Sequence, residues 1–239
     1  MKDICFIIPN FNQLSFLKNL VAQLKFYYPH NRIYVIDNGS TNSDLLTYYY
    51  ESRDFQAYKY PDNDFVGNLS SFIEHYLKFE YYVISDPDIS IPPYTPPYFL
   101  EVFRQAIDQE GFHHAGFGLK TDDIPKWNPK AAWIAGDEKN LLNTPVTIDF
   151  KGEKITGFRA PIDTTFALYK KSNGGWTAPM SGEAWNNSVR FFEVFHLFWY
   201  LHKDYLNDEI KHYLNTCLKR DNSLPSAGRN HYNPFTGMD

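Results

Sequence analysis

The sequence predicts an α/β fold: a mixed, mainly parallel central sheet flanked by helices, with a small β-hairpin and C-terminal helices. Three observations carry this reading. Across residues 1–92, short apolar β-prone runs alternate with amphipathic helical stretches, the pattern of βαβ units in a Rossmann-like sheet. The run Tyr81-Tyr82-Val83-Ile84-Ser85 ends abruptly in two acids, Asp86 and Asp88, with only Pro87 between them. Hydrophobic residues make up 43% of the chain and aromatics 18%, which supplies a core and argues against disorder.

Taken in order, residues 4–8 are an apolar, β-branched run closed by Pro9, a buried first strand. Leu14, Leu17, Leu20, Val21 and Leu24 recur at helical spacing and predict a helix over 13–27, broken by Pro29-His30-Asn31. A second strand over 32–36 runs into Asp37-Asn38-Gly39-Ser40-Thr41. Asn42 or Ser43 then caps a helix reaching residue 52. Residues 57–60 form a third strand stopped by Pro61, 63–68 a loop, and 69–77 a helix that feeds the strand ending in Asp86 and Asp88.

Beyond Pro92-Pro93 and Pro96-Pro97 the pattern predicts a helix over 98–109, a strand over 115–119 and a short helix over 129–139. Residues 146–150 and 154–158 alternate on either side of Lys151-Gly152-Glu153, the signature of a hairpin. A strand over 164–169 leaves Asp163, Asn173-Gly174-Gly175 turns the chain, and two helices are expected over 191–202 and 205–218. With no internal repeat or low-complexity linker, residues 1–239 read as one domain. Residues 1–92 are its nucleotide-binding half and 219–239 an irregular tail rich in Gly, Pro, Asn and Ser.

Alternate residues of an extended chain point the same way, so Asp86 and Asp88 can converge on one cation at the C-terminal edge of the sheet. Oxygen ligands suit Mg2+ or Mn2+, ions that usually also hold substrate phosphates. The competing reading is a plain Asp-Pro turn with exposed acids. A formal net charge of −5 without a Lys/Arg run argues against a nucleic-acid partner. Cys5 and Cys217 lie far apart without metal-type spacing, and Cys5 reads as a buried thiol. There is no signal-peptide pattern and no stretch near the ~20 apolar residues that span a bilayer. The expectation is a cytoplasmic protein, with peripheral membrane attachment if its partner is a lipid.

The order and spacing of Pro9-Asn10-Phe11-Asn12, Val35-Ile36-Asp37-Asn38-Gly39-Ser40-Thr41 and Asp86-Pro87-Asp88 resemble family 2 glycosyltransferases of the GT-A fold. Asn63-x-x-x-Gly67 is similar to that family's loop before the metal motif. Segments 117–125 and 161–169, and His196-Leu197-Phe198-Trp199-Tyr200-Leu201, resemble a subgroup of it that usually has proline where Phe198 stands. The resemblance covers roughly residues 4–205.

The resemblance implies a metal-dependent, inverting transfer of a sugar from a nucleotide-diphosphate donor to a hydroxyl of a glycan, glycolipid or glycoprotein. Residues 93–218 are then the acceptor-side half. Pro9 ends the first strand so that Asn10 and the backbone approach a nucleobase, on which Phe11 either stacks or packs beneath. The Asp37 carboxylate accepts N3–H of uracil or thymine, or the N1–H/N2–H2 edge of guanine, with Asn38-Gly39 as the tight turn; its rival role is a turn or helix-cap acid. Gly67 belongs to the donor loop. Asp86 and Asp88 hold the metal against the diphosphate, Asp88 more directly, with His196 as the third ligand. Inverting chemistry also needs a base for the acceptor hydroxyl. Glu183 and Asp163 are the candidates, Glu183 weakened because Ala184 replaces the family's usual following Asp.

Arg190 is expected on a phosphate or paired with an acid, Asp122-Asp123 in a turn or a binding role, and His113-His114 in a structural one. The missing acid at Ala184 favours one alternative, a non-catalytic sugar-nucleotide or glycan-binding module. A sugar-1-phosphate nucleotidylyltransferase fits less well, because Pro9-Asn10-Phe11-Asn12 is not a Gly-rich phosphate loop.

Overall fold

The computed structural model describes residues 3–162, 165–176 and 186–219. The N-terminal half is a parallel sheet laid down in order: β1 (Ile4–Asn10), α1 (Leu14–Tyr27), β2 (Arg32–Asn38), α2 (Ser43–Glu51), β3 (Gln56–Tyr60), α3 (Phe65–His75) and β4 (Tyr81–Ser85). A short β5 (Ile89–Ser90) leads to α4 (Phe99–Asp108), β6 (His114–Leu119), α5 (Ala131–Leu141) and the hairpin β7 (Pro145–Phe150)–β8 (Glu153–Arg159). Then follow β9 (Phe166–Lys170), β10 (Ser188–His196), a 3-10 turn at Leu197–Tyr200 and α6 (Asp208–Lys219). The strand order is β3-β2-β1-β4-β9-β6-β10-β8-β7, with β5 pairing off this path against β10. β3, β2, β1 and β4 are parallel neighbours; β9 runs antiparallel to both β4 and β6, while β6 and β10 are again parallel.

All seven residues of β1 are buried, as expected of a strand covered on both faces. Ile4, Phe6 and Ile8 join Leu17, Leu20, Val21 and Leu24 of α1, Leu45 and Tyr49 of α2, and Phe99 and Phe103 of α4 in one cluster. Cys5 and Ile7 point the other way, to Leu69 and Phe72 of α3. Each such side chain contributes roughly 1.5–3 kcal/mol through burial. The Asn42 side chain caps α2 by accepting from the Leu45 amide at 2.9 Å.

Four expectations need correction. The segment expected as a helix over 191–202 is a strand, β10, followed by a 3-10 turn. A bulge between Arg190 and Glu193, with Phe192 at φ 58°, shifts the strand's phase. Val189, Phe191 and Val194 therefore all face the core, at spacings of two and three that mimic a helical stripe. Second, α3 begins at Phe65 rather than at residue 69, so Gly67 lies in a helical first turn and not in a loop. Asp64 caps that turn by accepting from the Gly67 amide at 2.9 Å, and a Cβ at position 67 would press on the Asp64 carboxylate. Third, the last helix starts at Asp208, where the Asn207 side chain accepts from the Ile210 amide at 2.8 Å. Fourth, the chain turns at Pro87 and Asp88 instead of running on extended, so alternation along a strand does not orient the two acids.

Residue 219 ends α6, and residues 220–239 of the expected tail lie outside the described residues. No helix among the described residues is long and apolar enough to cross a membrane.

His113-His114 is structural, as its sequence context implies. His114 is fully buried on β6, stacked on Tyr169 of β9 with ring centroids 5.1 Å apart. Burial, and behind it the charge of His113, pushes its pKa down from 6.5 to about 3. Between those values the unfolded chain binds the proton and the folded chain does not, so stability is full above about pH 6.5 and falls as the pH drops towards 3. We expect this residue alone to account for a loss of about 2 to 3 kcal/mol by pH 4.5. Urea denaturation at pH 7 and 4.5 checks it: in His114→Phe, which keeps a ring on Tyr169, most of that difference disappears.

Candidate functional site

The C-terminal ends of β1, β2 and β4 gather the polar side chains that the sequence singles out. Pro9 and Asn10 stand opposite Ile36 and Asp37 in the parallel register, so Asn10 and Asp37 share a sheet face. Both are buried, at 1% and 2% exposure. Tyr49 of α2 bridges them: its hydroxyl donates to Asp37 Oδ1 at 3.2 Å and accepts from Asn10 Nδ2 at 2.7 Å. The Ser40 amide lies 3.4 Å from both Asp37 oxygens. Burial raises the Asp37 pKa, opposed by hydrogen bonds from Ser40 and Tyr49 and by the charge of Lys59.

Asn38 Oδ1 accepts from Asn68 Nδ2 at 2.9 Å, tying the β2 loop to α3. Gly39 takes φ 73°, and a Cβ there would press on the Pro61 carbonyl oxygen at 3.0 Å. Phe11 is buried against Tyr213 of α6, ring centroids 6.5 Å apart. α6 is also pinned across this edge through Asn12 Nδ2 to Thr216 Oγ1 at 3.0 Å and Thr41 Oγ1 to His212 Nε2 at 2.9 Å.

The fold brings Asp88 and His196 together. β5 pairs Ile89 with His196, and the Leu197 amide donates to the Asp88 carbonyl at 2.7 Å. Asp88 Oδ2 then lies 3.4 Å from His196 Nδ1, both side chains largely buried. The imidazole stacks on Trp199, centroids 4.7 Å apart and planes at 10°. His196 Nδ1 is nevertheless a buried nitrogen without a hydrogen-bond partner among the described residues. Burial, followed by the charges of Cys217 and Asp88, raises the Tyr213 pKa well above 10, which keeps that phenol neutral at the edge of the pair.

This donor set fits a hard divalent cation. Two ligands each about 2.1 Å from one ion at right angles stand about 3 Å apart, near the observed separation, and an orphaned imidazole nitrogen is the lone pair a metal would take. Among the described residues no group of three or more His, Cys, Asp and Glu side chains converges. Asp86, at the end of β4, is only partly buried.

Other sequence candidates are placed elsewhere or beyond view. Glu183 and Asp163 lie outside the described residues. Arg190 is on no open surface: it forms a buried ion pair with Glu138 of α5 at 2.6 Å and donates to the Pro161 carbonyl at 2.6 Å. Asp122 and Asp123 pair with Lys120, and Tyr200 donates to Asp123 at 2.6 Å. Sequence reasoning missed Tyr49, Glu138 and Tyr213. For Tyr49 a signal existed, since Leu45 and Tyr49 sit one helical turn apart on the buried face of α2.

A parallel N-terminal half, an antiparallel β9 inserted beside β4, and an acid-rich turn at the edge of β4 define the GT-A glycosyltransferase fold. Solved structures with this fold are similar to the chain. One is the mannosyltransferase PcManGT from Pyrobaculum calidifontis in complex with GDP-Man and Mn2+: 13% identity, TM-score 0.56, covering 93% of this chain and 66% of that one. Another is glucosyl-3-phosphoglycerate synthase from Mycobacterium tuberculosis in complex with phosphoglyceric acid: 13% identity, TM-score 0.51, covering 94% and 81%. The same synthase with Mn2+, uridine-diphosphate and glucosyl-3-phosphoglycerate gives 13% identity, a TM-score of 0.50 and the same coverage. The chain thus spans just under two thirds of the mannosyltransferase's length. No family model matches the chain. No curated protein matches it by sequence.

Proposed function

We propose that this chain is a metal-dependent glycosyltransferase, resembling family 2, that moves a hexose-type sugar with inversion from a nucleotide-diphosphate donor to a hydroxyl acceptor. The observation that carries the reading is the Asp88–His196 pair, a buried carboxylate and an orphaned imidazole nitrogen at the edge of a parallel sheet. Asp88 and His196 would hold Mn2+ or Mg2+, and Asp86, at the end of β4, would supply a further oxygen. When bound, the ion offsets the charge that builds on the departing nucleoside diphosphate.

The chain's own groups do the rest. Asn10 and Asp37 read the base, Phe11 and the Asn38-Gly39 turn shape its surroundings, and Gly67 donates its amide to the Asp64 cap at the start of α3, on the donor side. Glu183 or Asp163 takes the acceptor proton as the hydroxyl attacks the anomeric carbon. Residues 1–92 bind the donor, while 93–218 receive a glycan, glycolipid or protein-linked sugar. A cytoplasmic, membrane-peripheral setting suits a lipid-linked acceptor.

The test is release of nucleoside diphosphate from a panel of sugar nucleotides with Mn2+ or Mg2+, against EDTA. Metal-stimulated release from one donor is expected, and turnover indifferent to EDTA would sink the metal role. Loss of turnover in Glu183→Gln but not in Asp163→Asn names the base, and the reverse pattern names the other.

A further inference from the structure

We propose that Asn10 and Asp37 together select guanine, so that the donor is a guanosine-diphosphate sugar; this rests on the transferase reading above. The argument is the direction of one hydrogen-bond chain. An ionised carboxylate only accepts, so the Tyr49 hydroxyl proton goes to Asp37 Oδ1. The phenol oxygen can then only accept from Asn10, which must turn Nδ2 towards it, at 2.7 Å. The flipped amide would set two acceptor oxygens against each other. Asn10 Oδ1 is therefore committed away from Tyr49, and it is buried without a hydrogen-bond partner among the described residues.

Register places this orphaned acceptor beside the Asp37 carboxylate, on the same sheet face at the ends of adjacent strands. Asp37 Oδ2 takes the Ser40 amide at 3.4 Å and the Ser40 side chain adds a hydrogen bond to the carboxylate, whose two oxygens can accept about four bonds in all. Nearby amide nitrogens are already in use: Asn12 Nδ2 on Thr41 and Thr216, and Asn68 Nδ2 on Asn38 and the Asp62 carbonyl. Two neighbouring acceptors ask for two neighbouring donors. Guanine offers them as N1–H and N2–H2. Uracil and thymine present one N–H between two carbonyls, and adenine and cytosine set an amino group beside a ring acceptor. A base that leaves Asn10 Oδ1 unpaired forfeits a buried hydrogen bond, worth about tenfold in affinity.

The experiment is calorimetric titration of the full chain, with Mn2+, against GDP, IDP, UDP, dTDP, ADP and CDP. GDP should bind at least about tenfold more tightly than IDP, which differs only by lacking the 2-amino group, and more tightly than every other base. Tyr49→Phe, nearly isosteric, frees the Asn10 amide to rotate and should shrink the GDP-over-IDP ratio; a role in folding alone would leave that ratio unchanged. The wild-type comparison stands even if the variant fails to fold. Equal affinity for GDP and IDP, or tighter binding of UDP, dTDP, ADP or CDP, overturns the base assignment and leaves the transferase reading intact. Failure to bind any nucleoside diphosphate sinks both.

Discussion

Asp88→Asn should lower donor turnover by about a hundredfold to a thousandfold, the scale on which losing one preorganised charge at a developing anion is felt. The carboxylate is buried, its oxygen faces an imidazole nitrogen 3.4 Å away, and its backbone carbonyl is already held by the Leu197 amide. The substitution keeps the shape and the turn while removing the charge, so folding should be preserved. The missing turnover should partly return at high Mn2+, because the weakened site is filled by mass action. His196→Gln should show the same metal dependence with a smaller loss. Metal titrations of turnover, alongside thermal melts of each variant, read this out. Full activity of Asp88→Asn at low Mn2+ would end the metal assignment.

Arg190→Met should destabilise the fold by about 3 to 5 kcal/mol, the cost of leaving a buried charge without its partner. Arg190 and Glu138 are 8% and 3% exposed in their side chains, with Nη1 and Oε2 2.6 Å apart. Burial raises the Glu138 pKa and Arg190 opposes that rise, so losing the guanidinium drives Glu138 towards its neutral form. The double variant Arg190→Met/Glu138→Leu should recover much of the loss, since a well-packed apolar pair of similar volume often matches a buried ion pair. Urea midpoints of the two single variants and the double one close the cycle. An Arg190→Met protein as stable as the parent would mean that Arg190 serves some ligand rather than the fold.

Much of this molecule was legible in its sequence. The first four strands and the helices between them followed from apolar runs, helical spacing and turn residues. Asp37 and Asp86 stand out because each lies at the end of an apolar strand, and Asp88 because it lies two residues further on. The misreadings have physical causes. One inserted residue in β10 moved Phe191 and Val194 from alternate positions to a spacing of three, and the strand then looked helical. Gly67 reads as a loop residue and so places the start of α3 late, whereas it is the third residue of a helix that Asp64 caps. Arg190 reads equally as a phosphate contact or as half of an ion pair, and the pair is what forms; its partner, Glu138, lies on a helix whose position nothing local announces.

By itself the sequence determined what near neighbours along the chain control: the periodicity of each element, the caps, and the residue that sits at each strand's end. Only the tertiary structure decided which of those ends meet. Asp88 reaches His196 because β5 pairs with β10, and Asp37 reaches Asn10 because β1 and β2 lie in one register, with Tyr49 brought over them by α2. The reason is physical: propensity and patterning act over a few residues, whereas a pairing between distant segments is chosen by the packing of the whole sheet.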